Sequence, residues 1–326
     1  MKRIVKRLGI FIVSILVVFI ISGIHLDIPR DELESRYAKG LSQFLDLPDG
    51  TRIHFRDEGL PEKPTIVLLH GFNGSLFNFE RLVPFLIKDF RLISLDLPGF
   101  GLTGATPIAD YSTEAFIDTV TLLTKELGIE KFSIAGNSMG GGVAWRYALK
   151  YPTKIESLIL LSSSGVVTEE DLKKFEDRKN KSPIVWKLMS SGILKKFLNF
   201  YTPKFFATQG LKASVYDQDL ATKEYAMQFH DLVLLEGSRS AILSMSIGSR
   251  SRVYGPEVLS DISAPTLVIH GQEDNIINYE SSLVFKDNID VVEIKIYPLV
   301  GHLPMYEAPQ RTAHDVKVFF RSLKLD

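Results

Sequence analysis

Ser138 stands in the run Gly136-Asn137-Ser138-Met139-Gly140, with Gly141 and Gly142 following. An apolar, strand-like stretch at 132–135 precedes it and an amphipathic stretch at 139–149 follows. The serine therefore falls on a strand-to-helix turn, which strains the backbone at its centre and needs small neighbours on both sides. Gly136 and Gly140 supply them. Such a turn lifts the hydroxyl above the sheet, and the helix N-terminus aims the Met139 N–H at negative charge developing beside it. The chemistry is nucleophilic attack. A hydroxyl is a weak nucleophile near neutral pH, so a base and a group to orient that base must lie elsewhere in the chain.

The second element is His70-Gly71-Phe72-Asn73-Gly74-Ser75, directly after a strand-like run at 65–69. A loop there turns the Phe72 N–H toward the same oxyanion and completes a two-donor hole. His70 itself is expected to brace this loop by hydrogen bonds, because a base belongs later in the chain. For the orienting carboxylate, Gly271-Gln272-Glu273-Asp274 follows the strand-like run 266–269, which sets Asp274 at the strand's C-terminal end. Glu273 and Asp261 compete with it, although Asp261 precedes the strand. For the base, His302 in Gly301-His302-Leu303-Pro304 follows the run 291–296. Of the other histidines, His25 sits at the N-terminal apolar segment, His54 inside an early strand and His314 in the last helix. His230 belongs to the central insertion, where it either contacts substrate or lies on a helix surface, and His270 ends a strand as a structural residue.

The elements that must position these residues alternate. Strand-like runs lie at 51–55, 65–69, 91–95, 132–135, 158–161, 266–269 and 291–296. Helical patterns lie between them at 76–87, 113–127, 139–149, 279–285 and 308–323. In the second of these, Phe116, Val120, Leu123 and Leu127 recur at three- and four-residue spacing. Continuous apolar strands alternating with helices predict a mostly parallel sheet covered on both faces. The alternation fails between 165 and 260, where a charged stretch leads into aromatic, helix-like sequence. This predicts a helical cap over the strand ends. Within it Trp186, Ile193, Phe197, Phe200, Tyr201, Phe205 and Phe206 are interleaved with Lys187, Lys195, Lys196 and Lys204. That composition suits an acyl-chain pocket or an interfacial surface, or aromatics packed on their own sheet. Phe197, Phe200 and Phe205 are the candidate substrate-binding residues.

At the N-terminus Lys2, Arg3, Lys6 and Arg7 precede 17 residues, 8–24, broken only by Gly9, Ser14, Ser22 and Gly23. Extended through Leu26 the segment makes about 28 Å of helix, close to a bilayer's hydrocarbon core. The alternative is a secretory signal, whose only cleavage candidate, Ile21-Ser22-Gly23, begins on a poor residue. Basic residues before the segment and Asp27, Asp31, Glu32 and Glu34 after it place the body outside the cytoplasm. The expected layout is a membrane anchor at 1–26, a tether at 27–45, a core at 46–164 and 261–326, and a cap at 165–260. If the signal is cleaved, the body is secreted.

Composition excludes several classes. With 38 basic against 39 acidic residues, a net charge of −1 argues against nucleic-acid binding. The absence of cysteine removes disulfides, thiolate metal sites and a cysteine nucleophile.

The order Ser138, Asp274, His302, together with His70-Gly71, the Asp96-Leu97-Pro98-Gly99-Phe100-Gly101 turn and the insertion, resembles the α/β-hydrolase fold family over about 45–323. It is similar to capped bacterial lipases and esterases and to C–C bond hydrolases of aromatic degradation. The resemblance implies a mostly parallel sheet flanked by helices, with a helical cap after the sixth strand. It implies Ser138 as nucleophile, His302 as base, Asp274 as its orienter and the Phe72 and Met139 amides as oxyanion donors. No metal or organic cofactor is implied. Ser138 argues against epoxide hydrolases and haloalkane dehalogenases, which carry aspartate at the elbow, and the single-glycine HG loop departs from HGGG esterases. The leading expectation is a membrane-anchored serine hydrolase of lipid-type carboxylic esters. The alternatives are a C–C bond hydrolase of vinylogous diketones and a non-catalytic ligand-binding protein on the same fold.

Overall fold

A computed structural model describes Arg7, residues 21–166, Lys173, and residues 192–248 and 255–323. Eight strands form one sheet in the order β1-β2-β4-β3-β5-β6-β7-β8. They are β1 (Ser42–Asp46), β2 (Arg52–Glu58), β3 (Thr65–Leu69), β4 (Arg91–Leu95), β5 (Phe132–Asn137), β6 (Ile155–Leu161), β7 (Thr266–Gly271) and β8 (Val292–Tyr297). β2 is antiparallel to both β1 and β4, and every other pairing is parallel. β3 reads Thr-Ile-Val-Leu-Leu and is buried throughout, because helices cover both faces of a parallel sheet.

Two apolar layers result. On one face Phe116, Val120 and Leu123 of the helix Thr113–Glu126 and Val143, Ala144 and Trp145 of the helix Met139–Lys150 pack against Val67, Ile93 and Ile134. On the other, Val316, Phe319 and Phe320 of the helix Pro309–Leu323 pack against Ile66, Leu92 and Leu267. Parallel strands put their C-terminal ends at one edge of the sheet, and the loops leaving those ends are where chemistry collects in open α/β sheets. The pairing of Leu69 with Gly136 sets the His70 loop beside the Ser138 turn.

The chain between β6 and β7 contains the helices Gly192–Leu198, Lys204–Ser214, Lys223–Val233 and Ser238–Gly248. Leu211, Tyr225 and Ala226 from these helices, with Val215 just past the end of the second, join the second apolar layer.

The tether expected at 27–45 is instead folded. It holds the helix Arg30–Tyr37 and the edge strand β1. Leu33 is fully buried among Leu76, Phe77, Leu102, Leu232 and Leu235. The helix is otherwise polar (RDELESRY), so one leucine and several ion pairs hold it, and no apolar stripe betrays it in the sequence. Arg36 pairs with Asp231 at 3.0 Å, and Arg52 pairs with Glu34. Apart from Arg7, the expected membrane anchor up to residue 20 lies outside the described residues. Among the described residues no helix is long and apolar enough to cross a membrane.

Candidate active site

Ser138 takes φ +53° and ψ −118° between the end of β5 and the first turn of the helix Met139–Lys150. A side-chain-bearing residue adopts this conformation only when its surroundings enforce it. They do so on several sides. The Ser138 N–H donates to Leu161 O at 3.1 Å, and Ser138 O accepts from Gly142 N at 3.1 Å and from Ser164 N at 3.0 Å. Gly140 has to be glycine, since a Cβ there would run into the backbone carbonyls of Leu69 and His70. Met139 is the first helical residue, so its N–H is among those with no acceptor inside the helix.

The loop after β3 is braced as its histidine suggested. His70 is fully buried; its Nδ1 donates to Gly71 O at 2.7 Å, and its Nε2 accepts from Leu97 N at 3.0 Å. Burial pushes this imidazole below its ordinary pKa, which keeps Nε2 free to accept. Asp96 supports the same region by accepting from Leu76 N and Leu102 N, each at 2.7 Å, and from His54 Nδ1 at 2.7 Å. Burial alone would raise the Asp96 carboxyl, but His54 and the amides outweigh it and hold it below the usual range.

His302 and Asp274 meet: His302 Nδ1 lies 2.7 Å from Asp274 Oδ2. Asp274 Oδ1 accepts from Ile276 N at 2.8 Å and Ile277 N at 2.9 Å, while His270 Nε2 lies 3.0 Å from Oδ2. Burial would raise this carboxyl, but His270, His302 and the Ile277 amide overcome it and hold Asp274 well below the usual carboxylate range. Glu273 turns elsewhere and accepts from Val300 N at 3.2 Å. Asp261 closes a 3-10 turn ahead of β7, at the other end of the strand. His230 is buried in the helix Lys223–Val233, neither on its surface nor among the cavity residues.

Three supporting residues carried no signal that sequence reading used. Asn137 Nδ2 donates to both Leu161 O and His302 O at 3.0 Å, so the residue before the serine also holds the histidine's backbone. Glu307 accepts from Gly301 N at 2.9 Å and Tyr216 N at 2.7 Å, clamping the His302 loop to the insertion. His302 N itself donates to Ser214 O at 2.8 Å. His270 was read as structural, and its contact with Asp274 makes it part of the site's support. Its place at the end of β7, four residues before Asp274, was the available clue.

A cavity of about 270 Å³ holds Ser138 and His302 together with Phe72, Asn73, Phe206, Gly210, Leu211 and Phe229. Its apolar wall comes from the helix Lys204–Ser214, of which Phe206, Ala207, Gly210, Leu211 and Ser214 share one face. The expected substrate-binding residues Phe197, Phe200 and Phe205 are not in that wall. Phe205 lies next to Phe206 in sequence, about 100° around the helix, and so faces outward. Phe206 and Phe229 line the cavity instead.

The family profile described as alpha/beta hydrolase fold matches residues 64–309. Among proteins of known name, the chain is 30% identical over 279 residues to Lipase 1 of Psychrobacter immobilis, covering 84% of this chain and 82% of that one. It is 26% identical over 280 residues to monoacylglycerol lipase abhd6-A of Xenopus laevis, covering 83% and 79%. A crystal structure of a meta-cleavage product hydrolase superposes with a TM-score of 0.71 at 26% identity, covering 86% of this chain and 98% of that one. The chain belongs to the alpha/beta hydrolase family.

Proposed function

We propose that this protein is a serine hydrolase of carboxylic esters, of lipase or esterase type, held at a membrane by residues 8–24 with its catalytic body outside the cytoplasm. The observation that carries the reading is the buried His302–Asp274 pair at 2.7 Å, with His302 and Ser138 on one cavity. In this reading Ser138 Oγ attacks the ester carbonyl carbon while His302 Nε2 takes its proton. Asp274 orients the ring and stabilises the imidazolium. The Phe72 and Met139 N–H groups receive the oxyanion. His302 then protonates the departing alcohol, leaving an acyl-serine, and water deprotonated by His302 releases the acid.

Two lipases among the relatives and the apolar cavity wall support an acyl substrate. The charge flanks of the N-terminal segment support the orientation. The likeness to a meta-cleavage product hydrolase favours the second reading, C–C cleavage of a vinylogous diketone at the same serine. Fluorophosphonate labelling of the purified chain, followed by parallel assays on an acyl-ester panel and on a dienone acid, separates them. Ser138→Ala is expected to abolish labelling and to cost turnover roughly a million-fold, the scale seen on removing a triad serine. Near wild-type turnover in that variant overturns the assignment.

A further inference from the structure

Beside the cavity, aromatic residues of the insertion form an exposed surface of their own. Phe197, Phe200, Phe205 and Phe206 are between 42% and 57% exposed. Ring centroids connect them: Phe197 to Tyr201 at 4.9 Å, Tyr201 to Phe206 at 6.5 Å and Phe206 to Phe205 at 6.3 Å. The first described stretch of the chain lies against this ridge. Thr202 N donates to Gly23 O at 2.7 Å, His25 N donates to Phe200 O at 2.9 Å, and Ile24 bridges to Tyr201. The Tyr201 ring occupies the space a side chain at position 23 would need. Ile21, Ile24 and Leu26 are themselves 48% to 77% exposed, so aliphatic and aromatic side chains make one apolar surface. Exposed Lys196 and Lys204 belong to the same two helices.

We propose that this surface docks on the lipid bilayer, sinking its aromatic ridge into the headgroup region beside the point where the N-terminal segment enters. The proposal rests on the reading of 8–24 as a membrane segment, and chain length then fixes the rest. Residue 20 is four residues from Ile24, which is paired to Tyr201, and the Ile24 N–H to Ile21 O bond at 3.2 Å turns the intervening chain. Even fully extended, that interval spans no more than about 14 Å, and the turn makes it shorter. The ridge therefore cannot leave the interface once the apolar run is in the membrane. Exposed large apolar side chains with lysines beside them are what an interfacial surface requires, since the rings reach about 5–10 Å inward while the ammonium groups meet anionic headgroups. Phe206 belongs to both the ridge and the cavity wall, which puts an acyl chain's route from lipid to Ser138 along the same helix.

The protein has no cysteine, so single labels are clean. The full chain carrying Phe205→Cys, Leu26→Cys or Lys125→Cys, each bearing a bimane, is reconstituted into phosphatidylcholine–phosphatidylglycerol vesicles containing doxyl-labelled phosphatidylcholine. Lys125 lies in the last turn of the helix Thr113–Glu126, which leads to the start of β5 at the opposite end of the sheet. Quenching at least twofold stronger at positions 26 and 205 than at 125 is expected. Quenching at 26 but not 205 overturns the docking while leaving the anchor intact. Quenching at neither, with the chain floating free of the vesicles, overturns the anchor reading and the docking with it. Disulfide-linked dimers formed by the unlabelled Phe205→Cys chain on air oxidation identify a copy–copy surface instead, and likewise overturn it. Phe197→Ser, Phe200→Ser and Phe205→Ser combined should leave turnover of a soluble short-chain ester within twofold, and cut hydrolysis of an ester held in vesicles at least tenfold. An equal fall in both assays would mean that these rings serve the fold, and the proposal fails.

Discussion

At the scale of single residues, the most informative group is the Asp274 carboxylate, which has all its acceptor capacity in use. Oδ1 takes two backbone amides and Oδ2 two histidines. His270 Nε2 also lies 3.0 Å from Ile277 O, and a carbonyl can only accept, so Nε2 must carry the hydrogen that Asp274 shares. His270 is thus a positioning residue for the acid. His270→Phe should lower kcat about tenfold, the scale of a lost hydrogen bond to a charged group. With one donor fewer, Asp274 interacts more strongly with the His302 imidazolium, so the acid limb of kcat/KM should move to higher pH, and His270→Gln should recover part of both effects. An unchanged pH profile would reduce His270 to packing. Asp274 also links stability to pH. Its folded pKa is depressed, so its contribution is present above about 3.9, where an unfolded aspartate titrates, and is lost as pH falls through the lower folded value. Urea unfolding should show Asp274→Asn less stable than wild type at pH 7, with the gap narrowing by pH 2. In esterase assays Asp274→Asn should cost orders of magnitude and Glu273→Gln little; the reverse result would show that the wrong carboxylate was assigned.

Elements were legible where their burial is periodic or continuous. Strands β3 to β7 could be read because a parallel sheet covered on both faces demands largely apolar runs, β8 because its edge position alternates Val292, Ile294 and Ile296 with charged residues, and the serine turn because only glycine fits where the helix passes Leu69 and His70. The helix Arg30–Tyr37 and β1 were not legible, since ion pairs and one buried leucine hold the helix and β1 is a half-exposed edge. The candidate triad could be read from chain order, yet the pocket wall could not. Telling Phe205 from Phe206 requires the helix phase: positions 197, 200, 201 and 205 fall at helical spacing, but one helix ends at Leu198 and the next begins at Lys204, so that phase does not carry across. That phase now yields a prediction. Gly210 lies on the cavity face of the helix Lys204–Ser214, and a Cβ there meets nothing within 4 Å. Gly210→Leu should stabilise the helix by up to about 1 kcal/mol, because glycine is a poor helix former. It should also fill part of the cavity. In wild type, kcat/KM should climb by up to about fourfold per methylene, at roughly 0.8 kcal/mol for each buried CH₂, from acetyl to at least hexanoyl esters. In Gly210→Leu the climb should stop at shorter chains with acetyl-ester turnover preserved. A flat wild-type series would move the assignment to the C–C cleavage reading.

On the scale of the whole molecule, the N-terminal strip and the insertion hold each other. Ile24 pairs with Tyr201 and Ile28 with Leu235, and Arg239 in the insertion reaches back to them. The Arg239 side chain is only 5% exposed; Nε meets Asp27 Oδ1 at 3.1 Å and Nη1 meets His25 O at 2.8 Å. A buried guanidinium that loses its carboxylate is left with uncompensated charge, which costs about 3–5 kcal/mol in a dry site. Asp27 is 43% exposed, so water recovers part of that, and about 2 kcal/mol is the expected scale. A chain shortened to begin at Ile21 keeps every one of these contacts and should match the full-length melting temperature. Beginning at Arg30 removes Asp27, His25 and both bridges, and should lower Tm by about 4 °C or more. Charge, and not merely lost length, is the cause if Arg239→Met in the Arg30 chain recovers part of the loss while the same change in the Ile21 chain destabilises. Because Ser214 and Glu307 tie the insertion to the His302 loop, the Arg30 chain should also lose esterase activity on heating before its global unfolding. Equal melting of the two shortened chains would mean that residues 21–29 lie on the insertion without stabilising it.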